Sequence, residues 1–271
     1  MRIKINLQNR VLSQPNHGYN FWETVNKTAA LSTSESACLI CDVWDKHWSR
    51  GATERIDRLA PQINTFIAKL RPHGVRVIHA PSGVVGYYSN SPAKQRMDGV
   101  EVIAPPQELN VVVQPLPVDA SDGGSDTGET AAQERQVWTR QHLAIGIDQA
   151  VDIIGDDGLR IYSFLKREGI TNLFMVGVHT NKCMLTRSYG IEQMVRWGIN
   201  VILVRDLTDA MYNPAMPPYV SHEQGTQLVV EYIEKFWCPT VSSKQLLHAL
   251  GSSRTSLGHR ISRRLLPWLG R

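Results

Sequence analysis

The stretch that most constrains this chain is Leu173-Phe174-Met175-Val176-Gly177-Val178-His179-Thr180-Asn181-Lys182-Cys183-Met184. Residues 173–178 form a short apolar run, the pattern of a strand buried on both faces. A polar His179-Thr180-Asn181 turn follows, and beyond Cys183 the apolar positions Met184, Ile191 and Val195 take up a helical spacing. Cys183 therefore stands where a buried strand turns into a helix. A free cysteine in such a place either packs as a small hydrophobe or acts as a nucleophile. In the second role the positive end of the helix would stabilise its thiolate, and amides of the first turn would face a substrate oxygen.

The rest of the chain places that stretch in an α/β frame. Residues 1–35 are polar, with a turn at Pro15-Asn16-His17-Gly18 and no sustained period, and read as an N-terminal extension lying over the domain. The first buried strand is expected over 36–43, a helix over 52–73 and a second strand over 75–80. Residues 83–136 are rich in Gly, Pro, Ser and Asp, long for an irregular segment and suited to a lid or a subunit contact. A strand is expected over 136–140, a helix over 158–168, then the cysteine strand and a helix over 182–197. A strand over 200–204, a helix over 222–237, a last strand at 240–242 and a short helix over 244–250 complete the pattern. Strands alternating with helices imply a doubly wound three-layer sandwich with a mainly parallel central sheet. The domain is assigned to 36–250, with a basic tail over 251–271.

Composition excludes several classes. At 271 residues, 42% apolar and 20% charged, the chain has the balance of a globular protein, and no run approaches a membrane span. Met1-Arg2-Ile3-Lys4 has no apolar run behind it, so no secretory signal and a cytoplasmic location are expected. The net charge of +4 is local: Lys244, Arg254, Arg260, Arg263, Arg264 and Arg271 crowd the end, leaving 23 bases against 25 acids elsewhere. That tail lacks interleaved aromatics beyond Trp268, so neither nucleic acid nor membrane is expected as a partner. Cys38 and Cys41 lie three apart on a predicted strand, face opposite ways and read as core rather than as a metal grip.

Gly177, Thr180 and Cys183 reproduce, residue for residue, a Gly-x-x-Thr-x-x-Cys pattern. It resembles the signature of the isochorismatase-like cysteine hydrolases, a family that includes nicotinamidases and N-carbamoylsarcosine amidases. The resemblance covers roughly 36–248 and implies the same doubly wound fold. An acid at the end of a buried first strand is costly unless paired or catalytic. Asp42 lies there and matches the family's catalytic aspartate, while Asp45 matches a later one. The family's Gln-Asn pair between them is replaced by Trp44 with no equivalent amide. The resemblance further implies a cis bond at Val178-His179 and an oxyanion hole from the amides of His179 and Cys183. It calls for a lysine on the intervening strand, where Trp138-Thr139-Arg140-Gln141-His142 has none. Arg140 is the positional match, with Lys46 the alternative.

Asp42 is expected to accept the thiol proton and Arg140 to supply the neighbouring cation. Trp44, Asp45, His47, His79 and Tyr212 are the expected pocket residues. No cofactor is expected. Asp45, His47 and His79 are the one group that could converge on a divalent metal such as zinc or iron. The resulting expectation is a cysteine hydrolase of a small amide-like substrate that works through an acyl-enzyme and assembles as a dimer or tetramer. Vinyl ether hydrolysis and a catalytically silent binding or scaffold protein are the alternatives.

Overall fold

Ser36–Cys41 (β3) and Asn172–Val178 (β6) are buried at every residue, as strands must be when helices cover both faces of their sheet. The computed structural model describes residues 1–15 and 18–262. Within them Arg76–Ala80 (β4), Ile153–Ile154 (β5), Asn200–Asp209 (β7) and Thr240–Val241 (β8) join β3 and β6 in one parallel array. Arg2–Ser13 (β1) and Phe21–Ser32 (β2) extend it antiparallel, giving the order β2-β1-β8-β7-β6-β3-β4-β5.

Alternation along β3 divides the core. Ala37, Leu39 and Cys41 face one side, with Ile161 and Leu165 of Gly158–Arg167 (α3) and Val229 and Ile233 of His222–Phe236 (α6). Cys38 and Ile40 face the other, with Ile56, Ile63 and Ile67 of Arg50–Leu70 (α1) and Leu246 of Ser243–Ser262 (α7). Cys38 and Cys41 thus point to opposite layers. The Ser49 side chain accepts from the Ala52 amide at 3.3 Å and starts α1.

Four expectations are corrected. The N-terminal segment is a twelve-pair hairpin built into the sheet, tied to α6 by Arg10–Glu231 (2.9 Å), Arg10–Glu234 (3.1 Å) and the Trp22–Phe236 contact. β1 opens with a period of two, Ile3, Ile5 and Leu7 buried between exposed neighbours, while β2 is solvent-exposed along most of its length and shows no period. Residues 136–140 are not a sheet strand. Their alternation arises because the segment crosses the carboxyl end of β3, with the Asp45 amide donating to Arg140 O (3.0 Å) and the His142 amide to Val43 O (2.8 Å). The third parallel strand in chain order is β5 instead, preceded by Pro92–Asp98 (α2) in the long loop. The helix after Cys183 is split into Cys183–Thr186 (α4) and Ile191–Arg196 (α5), separated by a turn closed by the Gly190 amide on Arg187 O at 2.7 Å. Finally, α7 continues past residue 250 to Ser262, and the remainder of the expected basic tail, from 263, lies outside the described residues. No helix among the described residues is long and apolar enough to cross a membrane.

β3 and β6 pair in register through Cys41 and Gly177. Gly177 has φ of +116°, and a Cβ there would lie 2.1 Å from the Cys41 carbonyl oxygen. Gly177→Ala is expected to cost at least about 3 kcal/mol in chemical denaturation, because both the backbone conformation and the strand separation would have to give.

Candidate active site

Two strand ends meet here. Asp42 follows β3 with φ of +49°, a left-handed conformation uncommon outside glycine, which turns its carboxylate inward. Oδ1 accepts the Ser82 amide at 2.7 Å and the Tyr189 hydroxyl at 3.3 Å, while Oδ2 accepts Arg187 Nε at 3.0 Å. Tyr189 also donates to Ala80 O at 3.2 Å and pairs closely with the Ser82 hydroxyl. The break between α4 and α5 is what aims Arg187 and Tyr189 at this carboxylate. A straight helix would have carried Tyr189 onward rather than back to β3.

Cys183 opens α4 and faces Asp42 closely enough that each alters the other's proton affinity. Burial pushes the thiol up to about 12, and the Asp42 charge adds to this, against smaller opposing effects of Arg187 and the His179 amide. Burial likewise raises Asp42, opposed by Arg187, the Ser82 amide and the thiol. α4 spans four residues, too short for a strong helix field, so burial favours the protonated Cys183 thiol.

The turn between β6 and α4 has a cis peptide at Val178-His179. Its His179 carbonyl accepts the Lys182 and Met184 amides at 3.0 and 3.1 Å, bracketing the Cys183 amide, which has no backbone acceptor among the described residues. The His179 amide is turned towards the sulfur. These are the two amides expected to bind an oxyanion. The turn is bolted to the end of β7: the Thr180 amide donates to Asp209 O at 2.8 Å, and Asn181 exchanges hydrogen bonds with Met211 at 2.8 and 2.9 Å. Asp209 is itself held by Arg55 Nε at 2.9 Å and His222 Nε2 at 2.9 Å.

The remaining expected residues separate into those near this turn and those outside it. Trp44 is buried, donates Nε1 to Ser82 O at 3.2 Å and stacks on Trp138 at 4.3 Å. His47 stacks on Trp138 and meets His179 edge-on at 4.8 Å. Burial, helped by the charges of Lys182 and Arg55, lowers His47 to about 4, and burial also holds His179 far below the usual histidine range. Burial thus favours the uncharged form of both rings, and the flank of the turn that they form is aromatic. Arg140 is not brought to Asp42. It donates to the Tyr87 hydroxyl at 2.9 Å and lies 4.0 Å from Asp45, because the segment carrying it crosses above the sheet. Lys46 is exposed on the loop after β3. Tyr212 is core: its ring packs on Gly225, where a Cβ would lie 2.2 Å from Cδ1, and its hydroxyl donates to Met216 O at 2.8 Å.

The donor atoms expected for a metal are committed elsewhere. Asp45 accepts from the Thr139 amide and hydroxyl at 2.9 and 2.6 Å, and His47 Nδ1 accepts the Ser49 amide at 3.1 Å. His79 is bound between Gln141 and Asp152, each at 3.0 Å. Among the described residues no group of three or more acids, histidines or cysteines is placed to hold an ion, so Asp45, His47 and His79 do not fit one. Three contributors escaped sequence reasoning: Arg187, Tyr189 and Ser82. Arg187 lies one helical turn after Cys183, a spacing that places two side chains on one face and was the available signal.

The charged brace behind the turn carries a pH dependence. Burial pulls His222 down, but its hydrogen bond to Asp209 and the Asp209 charge outweigh this and raise it above 6.5. Protonated His222 thus stabilises the fold fully below the unfolded value, and the contribution is lost as pH rises through the raised value. Thermal melts should show a larger gap between wild type and His222→Asn at pH 6 than at pH 8.5. A gap independent of pH would contradict this.

No family model matches the chain, and no curated protein does so either. Similar solved structures include a cysteine hydrolase from Pseudomonas syringae pv. phaseolicola 1448A, with a TM-score of 0.52 at 15% identity over 82% of this chain and 95% of that one. Isochorismatase family proteins from Desulfovibrio vulgaris (TM-score 0.44, 13% identity, covering 80% and 98%) and Burkholderia thailandensis (0.46, 14%, 80% and 96%) are further neighbours. The chain thus has the isochorismatase-like cysteine hydrolase fold.

Proposed function

We propose that this protein is a cysteine hydrolase that cleaves a carbon–nitrogen bond in a small amide-like substrate. The observation that carries this is the pairing of a slightly exposed Cys183 thiol with the buried Asp42 carboxylate at the ends of adjacent strands. As the sulfur attacks the carbonyl carbon, Asp42 takes the thiol proton. The carbonyl oxygen becomes negative and is received by the amides of His179 and Cys183. Asp42 then returns the proton to the leaving amine, and the acyl group stays on sulfur as a thioester. Water attacks the thioester, Asp42 takes one of its protons, and the acid departs as that proton returns to the sulfur.

Arg187 acts through Asp42 as a positioning residue. Its guanidinium holds the carboxylate ionised but never releases a proton, so the proton traffic runs through Asp42 alone. Trp44 stands where the family pattern has an amide pair, and its stack on Trp138 beside His47 favours a substrate with a flat or apolar part.

The test is turnover of a panel of small amides, ureides and vinyl ethers. Cys183→Ala should reduce any activity to background, and Asp42→Asn should lower kcat/KM by about 10²–10⁴. Arg187 holds the Asp42 proton affinity down, so Arg187→Ala should move the acid limb of the pH–rate profile to higher pH, with Arg187→Lys in between. Activity that survives Cys183→Ala would overturn the reading, as would an acid limb unmoved by Arg187→Ala.

A further inference from the structure

The two edges of the sheet are finished differently. On one side β5 is two residues long, and Arg96 reaches over to donate to Asp152 O beside it at 3.1 Å. A short, covered edge strand is the usual protection against pairing with another chain. On the other side β2 is twelve residues long and pairs with β1 at every position from Phe21 to Ser32 without a register break. It contains no proline and no bulge, and Glu23 and Lys27 are its charged residues. Among the described residues no strand pairs with its outer edge. The hairpin is also held firmly by its Arg10 and Trp22 contacts to α6, so the edge is presented ready-made.

We propose that the outer edge of β2 is a homodimer interface, in which the β2 strands of two copies pair antiparallel about a twofold axis at Val25. Such a pairing is isologous, so each residue i faces the residue j of the partner for which j faces i. Antiparallel ladders require the paired residues to present their hydrogen-bonding groups the same way, which restricts a twofold register to one centred on a residue. Centring on Val25 sets Glu23 of each copy opposite Lys27 of the other, two complementary charge pairs on one face of the sheet. Centring on Glu23 or on Lys27 sets like charges opposite each other. Centring on Thr24 or Asn26 leaves both charges facing uncharged residues. The Val25 register also pairs Thr24 with Asn26 and Trp22 with Thr28, residues that favour or tolerate strands. The product is one continuous sheet running through both copies, built by strand addition.

Sedimentation velocity on the full-length protein, over about 1 to 100 µM, tests this. Wild type is expected to dimerise in that range. Glu23→Lys and Lys27→Glu alone each place like charges opposite and should weaken the dimer at least about tenfold. An equimolar mixture of the two variants should recover the dimer, because a strand with lysine at both positions then faces a strand with glutamate at both. The double swap Glu23→Lys/Lys27→Glu should recover it within one chain. Circular dichroism melts separate these effects from misfolding. A wild type that stays monomeric, single variants that dimerise as well as wild type, or a mixture that does not recover would each overturn the proposal.

Discussion

The contact on which the rest depends is the close approach of Gly177 to the Cys41 backbone. It lets β3 and β6 pair in register to their carboxyl ends, with nothing between them. The strand order reverses at this pair, because β4 and β5 are added on one side of β3 while β6, β7 and β8 are added on the other. Two loops therefore leave in opposite directions and open a crevice, the place where open parallel sheets carry their sites. Asp42 is the first residue after one strand, and Cys183 opens the first helical turn after the other. Neither is brought to the other by a flexible loop.

Electrostatics then decides what the pair can do. An isolated carboxylate this deep would be protonated, since desolvation penalises the charge. Arg187, Ser82 and Tyr189 each give Asp42 a hydrogen bond and keep it usable as a base. The same burial and the same negative charge keep the Cys183 proton on sulfur until a substrate arrives. In the proposed mechanism, activation is therefore coupled to attack rather than stored as a resting thiolate. The arginine directly follows the four-residue helix that Cys183 opens, so one short segment carries both the thiol and the cation that faces Asp42.

The central strands, the helices that flank them and the Cys183–Asp42 pair were legible in the sequence because burial on both faces leaves uninterrupted apolar runs, and the motif residues sit at their ends. The start of β1 carries a strict alternation, with Ile3, Ile5 and Leu7 buried between exposed Arg2, Lys4 and Asn6, and that signal was available; β2 shows none, since Thr, Asn and Lys fill its exposed length. Arg140 was chosen by its place in the chain order. Its segment has the alternation of a strand, yet its hydrogen bonds go to the loop after β3. Arg187 was hidden inside what reads as one continuous helix. Its one-turn spacing from Cys183 was a signal for the shared face, whereas the break itself is fixed by the Tyr189 contacts to Asp42, Ala80 and Ser82, which local periodicity cannot register. Tyr212, expected in the pocket, is core, because the missing side chain at Gly225 gives its ring a place there.

The central claim is that Cys183 and Asp42 are coupled through the proton they exchange. It is tested most directly by site-resolved alkylation of Cys183 with iodoacetamide as a function of pH, read by mass spectrometry in wild type and Asp42→Asn. The account predicts that the wild-type rate climbs without a plateau through the ordinary thiol range, consistent with a thiol pushed up to about 12. It predicts that Asp42→Asn shifts the curve to lower pH, because a neighbouring negative charge has been removed. A wild-type midpoint at or below about 8.5, unmoved by Asp42→Asn, would contradict it.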